Sequence, residues 1–253
     1  MEDKDVTLFI TSCGRPHLLK RTLASFVKHN TYPINAVILC EDSGIKGIAD
    51  FAQDIFTSLS VHFCYNEIRI GQMKTIEKYA GLIKTPFVFH LEDDYEFFDS
   101  GFIELSFKIL DSDPKISQVL LEDDQHGFHK VPIGNPLCDK IMTSDPDHPQ
   151  NSVYNSGDGA LSVFSWRPSL KRTEIARLRI PYAPWDDEYT IQLAVNKLGF
   201  YGVVTRNLRD GRRGFCTHIG KTDHVPSQVA DSNIKILGRI DFPDKINLRI
   251  RDI

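Results

Sequence analysis

The sequence lacks a CxxC pair, a basic excess, a glycine-rich phosphate loop and any long apolar run. Each absence closes a class of function. The five cysteines, Cys13, Cys40, Cys64, Cys138 and Cys216, are odd in number and scattered, which fits reduced thiols rather than a disulfide frame or a zinc knuckle. Lysine and arginine number 30 against 34 acids, for a net charge of -4, so the electrostatic footprint of a nucleic-acid binder is missing. The beginning, Met1-Glu2-Asp3-Lys4-Asp5, is charged and leads into only a short apolar stretch. Neither a signal peptide nor a transmembrane segment is visible there, and the expectation is a cytoplasmic protein. With no G-x-G-x-x-G and no Walker loop, a dinucleotide site and a P-loop NTPase are disfavoured. Any phosphate must be met by a metal ion and by basic side chains.

What is present is an ordered series of apolar strands with polar tips. At 253 residues and 41% hydrophobic content the chain can bury one substantial core. Val6 to Thr11 reads as a buried strand, and the turn Ser12-Cys13-Gly14-Arg15-Pro16 opens a helix with Leu18, Leu19, Leu23, Phe26 and Val27 on one face. Ile34 to Cys40 is a second strand ending in Glu41-Asp42-Ser43-Gly44, followed by a helix over Ile48 to Leu59. A third strand, Val61 to Tyr65, precedes Ile70-Gly71-Gln72-Met73-Lys74 and a helix reaching Ile83. Such alternation predicts an α/β fold with a mostly parallel central sheet and helices on both faces. Ligands of such sheets collect beyond the carboxyl ends of the strands.

The most informative strand is Phe87 to Leu91, because it ends in Glu92-Asp93-Asp94. Three adjacent carboxylates repel one another unless water or a cation compensates them. A divalent ion with hard-oxygen preference, Mn2+ or Mg2+, suits a metal-diphosphate site at such a tip; a solvated acidic cap is the plainer alternative. A second Leu-Glu-Asp-Asp occurs at Leu121 to Asp124, but the first copy follows the alternating units and the longer apolar strand. Further on, Phe97 to Leu110 reads as a helix, Ser117 to Leu121 as a strand, and Val131 to Asn155 as a long surface loop. Trp185-Asp186-Asp187-Glu188 opens a buried helix closed by Gly199, where acids also suit the helix dipole. His218 lies between strand-like residues.

Taken as an ordered set, these blocks resemble the GT-A fold glycosyltransferases, above all family-2-like inverting enzymes. Ser12-Cys13-Gly14-Arg15, Cys40 to Gly44, Glu92-Asp93-Asp94 and Trp185-Asp186-Asp187 are also similar to blocks of the Golgi N-acetylglucosaminyltransferases that initiate hybrid N-glycans. The resemblance runs from about Thr7 to Gly220. It implies that Asp42 meets the base of a nucleotide-sugar, usually uracil, with Thr11, Ser12 and Arg15 lining the same pocket. It further implies that Asp94 and His218 bind Mn2+ or Mg2+, that Glu92 and Asp93 contact ribose, sugar or metal-bound water, and that Lys74 meets donor phosphate or sugar. The base that activates the acceptor falls within Asp186, Asp187 and Glu188: the Golgi enzymes favour Asp186, the general pattern Asp187 and Glu188. The triplet departs from the commoner Asp-x-Asp, and the Gln-x-x-Arg-Trp block of processive synthases is absent, so processive polymerisation is not expected.

By this resemblance residues 1–125 form a nucleotide-sugar-binding half, 126–220 an acceptor-binding half and 221–253 a C-terminal extension of one catalytic domain. The expected partners are a nucleotide-sugar donor and a glycan, lipid-linked or protein hydroxyl acceptor, with no nucleic acid, and the chain suits a domain of a larger protein or complex. A non-catalytic nucleotide- or sugar-binding module, and a nucleotidyltransferase on a similar sheet, are the alternatives.

Overall fold

The computed structural model describes residues 4–122, 129–143, 161–178, 188–209 and 212–220. β1 (Val6–Ser12) is buried along its whole length, as a parallel strand covered on both faces must be. Pro16, with its preset φ, opens α1 (Pro16–His29). That helix buries Leu18, Leu19, Leu23 and Phe26, while Val27, expected on the same face, is 43% exposed. Next come β2 (Ala36–Glu41), a short α2 (Ala52–Ile55), β3 (Val61–Tyr65), α3 (Gln72–Tyr79) and β4 (Phe87–Glu92). After β4 the chain forms β5 (Tyr95–Phe97), α4 (Phe102–Ser112) and β6 (Ile116–Leu120).

The second part contributes β7 (His129–Pro132), β8 (Cys138–Met142), β9 (Ser169–Arg172), α5 (Thr173–Ala176), α6 (Glu188–Lys197) and β10 (Tyr201–Thr205). A small hairpin, β11 (Leu208–Arg209) with β12 (Arg212–Arg213), leads to β13 (Cys216–His218). Nine strands make one sheet in the order β3-β2-β1-β4-β9-β6-β10-β8-β7. Strands β3, β2, β1 and β4 are parallel neighbours. β9 lies antiparallel between β4 and β6, and β10 pairs parallel with β6. The carboxyl ends of β1, β2, β4, β6 and β10 consequently share one edge.

Helices cover both faces, as the alternation predicts. One core packs α1, α2 and α4 against Val6, Leu8, Ile10, Leu39 and Phe89. Its centre is aromatic: Phe97 and Phe102 centroids are 4.8 Å apart, and Phe26 meets Phe97 edge-on at 5.5 Å, a geometry that adds to area burial. On the opposite face, Phe9, Ile38, Cys40 and Val88 pack with Ile76 of α3, Ile175 of α5 and Val195 of α6.

Several expectations are corrected. The helix over Ile48 to Leu59 contracts to α2, because Gln53 donates to the carbonyls of Phe56 and Leu59 and accepts from Val61 N, ending the helix and pinning β3. The helix expected from Phe97 starts at Phe102, after Gly101 in a left-handed conformation (φ 83°), and Tyr95–Phe97 is a strand paired with β13. The loop expected over Val131 to Asn155 contains β8 and the end of β7; residues 144–155 lie outside the described residues. Among the described residues, no helix is long and apolar enough to cross a membrane.

Candidate functional site

Register brings the polar tips together. Thr11 is level with Cys40 on one side and Glu92 on the other, and Ser12 is level with Glu41. Glu41, buried at 1% exposure, ties two turns with one oxygen: Oε1 accepts from Gly14 N at 2.8 Å and Ser43 N at 3.0 Å. Asp42 organises a third segment. Its Oδ1 accepts from Asn66 Nδ2 and Ile70 N, both at 2.8 Å, and its Oδ2 from Gly71 N at 2.7 Å. The start of α3 is thereby fastened to the tip of β2, and Gln72 Nε2 reaches Glu92 Oε1 at 2.8 Å.

Arg15 binds the other two acids of the triplet. Its Nε lies 3.3 Å from Asp93 Oδ2, its Nη2 pairs with Asp93 Oδ1, and its Nη1 is 2.9 Å from Asp94 Oδ2. Asp93 also accepts from Ser12 Oγ and Cys13 N, each at 3.2 Å. His218, delivered by β13, brings Nε2 to 3.1 Å from Asp94 Oδ2. A carboxylate can only accept, so that nitrogen carries the proton. Ile219 N donates to the Asp94 carbonyl at 2.8 Å, and a Cβ on Gly220 would stand 2.3 Å from Asp94 Oδ2. Glycine at 220 is a steric requirement of this packing.

The three acids titrate differently. Burial, followed by the charge of Asp94, pushes the Glu92 carboxyl up to about 8. Burial also raises Asp93, against the opposing pull of Arg15. Asp94 is less deeply buried; burial raises it too, but the His218 hydrogen bond and the Arg15 charge outweigh that and hold the carboxyl below its ordinary range. Of the three, Asp94 is the one whose neighbours favour the ionised form over the protonated one.

Two adjoining cavities flank these tips. The first, about 160 Å3, is lined by Thr11, Ser12, Arg15, Asp42, Glu92 and Asp93, together with Cys13, Arg69, Gly71, Gln72 and Thr75. The second, about 300 Å3, is lined by Asp94, Tyr95, His218 and Glu188, with Glu122, Ser165 and Arg167. Gln72 and Glu92 border both. Lys74 stands apart, exposed on α3 outside both linings. Trp185, Asp186 and Asp187 lie outside the described residues, as do Asp123 and Asp124.

Glu188 begins α6, and its Oε1 accepts from Trp166 N at 2.6 Å and Ser165 Oγ at 3.3 Å. Burial raises its carboxyl, with the Trp166 N–H and the charges of Arg167 and Lys171 opposing. Sequence reasoning missed Arg69, Gln72 and Arg167, and set Glu122 aside with the second acidic copy, although it lines the second cavity. Arg69 and Gln72 flank Ile70-Gly71, already marked as the entry to a helix, and that adjacency was the available signal. Arg167 comes from an irregular segment before β9 that no periodicity marks.

The donor chemistry fits a divalent ion. Among the described residues no three His, Cys, Asp or Glu side chains are grouped to hold one. Asp94 Oδ2 and His218 Nε2 are nevertheless 3.1 Å apart, a separation two ligands of one ion can have; Nε2, the donor in this hydrogen bond, would coordinate in its other tautomer, leaving further positions for phosphate oxygens and water.

No protein-family model matches the sequence, and no curated protein matches it. Solved structures do resemble it. The mannosyltransferase PcManGT from Pyrobaculum calidifontis, in complex with GDP-Man and Mn2+, aligns over 81% of this chain and 57% of its own, with TM-score 0.56 and 13% identity. S. aureus TarS 1-349 in complex with UDP-GlcNAc aligns over 87% of this chain and 62% of its own, with TM-score 0.56 and 12% identity. GalNAc-T7 with UDP, GalNAc and Mn2+ aligns over 81% of this chain and 43% of its own, with TM-score 0.55 and 16% identity. The chain thus spans less than two thirds of each of these neighbours. In architecture, with a mostly parallel central sheet covered on both faces, it has the GT-A fold of these glycosyltransferase structures.

Proposed function

We propose that this protein is a metal-dependent, inverting, family-2-like glycosyltransferase that moves a sugar from a nucleotide-sugar, a UDP-sugar foremost, to a hydroxyl of a glycan, lipid-linked or protein acceptor. The observation that carries the reading is the convergence of Asp42, Glu92, Asp93, Asp94 and His218 around two adjoining cavities at one sheet edge. Thr11, Ser12, Arg15 and Asp42 shape the cavity for the nucleoside, and Arg69 adds a cation to its lining. Asp94 and His218 would hold Mn2+ or Mg2+, whose charge, when bound, neutralises the departing diphosphate. The ion-bearing acid is kept ionised by its own neighbours, so no proton has to leave it first.

Inversion requires the acceptor hydroxyl to attack the anomeric carbon from the face opposite the leaving group and to lose its proton as the bond forms. A carboxylate within hydrogen-bond reach can take that proton. Glu188 borders the second cavity, and burial makes it a stronger base than an exposed glutamate. Asp186 and Asp187 share the assignment by their place immediately before it.

The test is thermal unfolding with UDP, GDP or dTDP, each with and without Mn2+ or Mg2+. A nucleotide with metal raises Tm, by the equivalent of about 2.7 kcal/mol at a hundredfold excess over Kd, and Asp94→Ala abolishes the rise. No metal-dependent shift with any nucleotide overturns the reading. Mn2+-dependent hydrolysis of UDP-, GDP- and dTDP-sugars then separates enzyme from binding module. A module binds donor but hydrolyses none, and Asp186→Asn, Asp187→Asn and Glu188→Gln change nothing.

A further inference from the structure

Asp94 Oδ2 is approached from three sides. Arg15 Nη1 lies 2.9 Å away, His218 Nε2 3.1 Å away, and the backbone at Gly220 leaves no room for a side chain. The oxygen a divalent ion would take is therefore already paired with a guanidinium. Arg15 does not depend on that pairing for its place. Its Nε and Nη2 engage both oxygens of Asp93, which is 2% exposed and further fixed by Ser12 Oγ and Cys13 N. The fork has one permanent seat, on Asp93, and one exchangeable seat, on Asp94.

We propose that Arg15 is the resident counter-cation of Asp94. A divalent ion and Arg15 Nη1 compete for Asp94 Oδ2, and Nη1, kept in place by the rigid fork on Asp93, exchanges that oxygen for the anionic diphosphate of the donor in the cavity that Arg15 lines. This deepens the glycosyltransferase reading of the site and rests on it. The Nη1–Oδ2 contact at 2.9 Å is a charge-assisted pair, stronger than a neutral hydrogen bond, so metal alone gains little by replacing it. When a diphosphate arrives with the metal, the freed arm finds a new partner. Metal and nucleotide consequently assist each other's binding, with one coupling free energy read equally from either side.

Mn2+ binding reports on this without any turnover. Free Mn2+ is titrated by electron paramagnetic resonance with wild type, Arg15→Gln and Asp94→Asn, each alone and with saturating UDP or GDP. Glutamine keeps a hydrogen bond to Asp93 but carries no charge to Asp94. Arg15→Gln is expected to bind Mn2+ alone about tenfold tighter than wild type, about 1.4 kcal/mol, while the enhancement by nucleotide shrinks by about the same factor. Asp94→Asn loses Mn2+ binding in both conditions. A folded Arg15→Gln that binds Mn2+ alone no more tightly than wild type, with Asp94 still required, overturns the proposal and leaves the glycosyltransferase reading standing. Wild type that binds no Mn2+ even with UDP and GDP overturns both. Should Arg15→Gln fail to fold by circular dichroism, Arg15→Lys carries the same test, since an ammonium can pair with Asp93 but lacks the fork that spans both acids; tighter Mn2+ binding alone supports the proposal and unchanged binding overturns it.

Discussion

Lys171 has no exposed surface. Its ammonium pairs with Ser169 Oγ and lies 5.2 Å from the centre of the Trp166 ring. Burial lowers it to about 7, with Glu188 and then Glu92 pulling the other way. In the unfolded chain the same group titrates near 10.5. Between those two values the unfolded state holds a proton that the folded state has shed, so stability rises with pH across that window. Glu92 works in the opposite sense: raised from 4.5 to about 8, it keeps its proton longer when folded, and stability falls as pH climbs between those values. Urea unfolding of the metal-free protein at a series of pH values checks both signs. Lys171→Met is expected to remove the rise above pH 7, and Glu92→Gln the fall below pH 8. If either variant keeps the wild-type slope in its window, the burial assigned to that side chain is wrong.

The tip of β2 acts as a coupling point for neighbouring elements. Asp42 was expected to read a base, yet its two oxygens are engaged by Asn66, Ile70 and Gly71 of the segment that starts α3. Asp42→Ala strands several donors in a buried place, at a cost of about 3 kcal/mol, since unsatisfied neighbours do not add fully. It also loosens the wall that holds Arg69 and Gln72. Affinities for UDP and GDP are then expected to fall together, by isothermal titration; loss of UDP alone would instead mark Asp42 as a direct reader of uracil. The tips themselves were legible, because apolar runs ending in acids are local signals and parallel register carries them to one edge. The ties between tips were not. Glu41 reaches the Gly14 N–H across the chain and Gln53 ties backbone atoms of Phe56, Leu59 and Val61, and no periodicity encodes which carbonyl or N–H a side chain will reach. β9 was hidden for a related reason. Its residues, Ser169-Leu170-Lys171-Arg172, read as polar, yet three of the four are buried by the strands on either side.

Among the described residues, the sheet separates two large apolar cores with no residue in common, beside a small third cluster of Leu120, Ile141, Val163 and Val204. One contains Phe26 and the other Ile76. Phe26→Ala is expected to cost about 3 to 5 kcal/mol and Ile76→Ala about 2 to 5 kcal/mol. With the sheet between them, the double variant should equal the sum within about 0.5 kcal/mol; chemical denaturation of the four proteins gives the coupling directly. The candidate site straddles the seam, taking Arg15 from the start of a helix on one face and Gln72 from the start of a helix on the other. Damage to either core therefore reaches the cleft by a separate route.

The placing of β9 also bears on how the chain is made. Once residue 92 has left the ribosome, β3, β2, β1 and β4 can associate, since every pairing among these four strands then has both members. The far side of β4 must wait for Ser169–Arg172, and β6 waits for the same four residues. A nascent chain halted before them carries a bare strand flank, which pairs readily with another copy. Aggregation during synthesis, rather than loss of the finished protein, is the hazard that this late-arriving antiparallel strand removes.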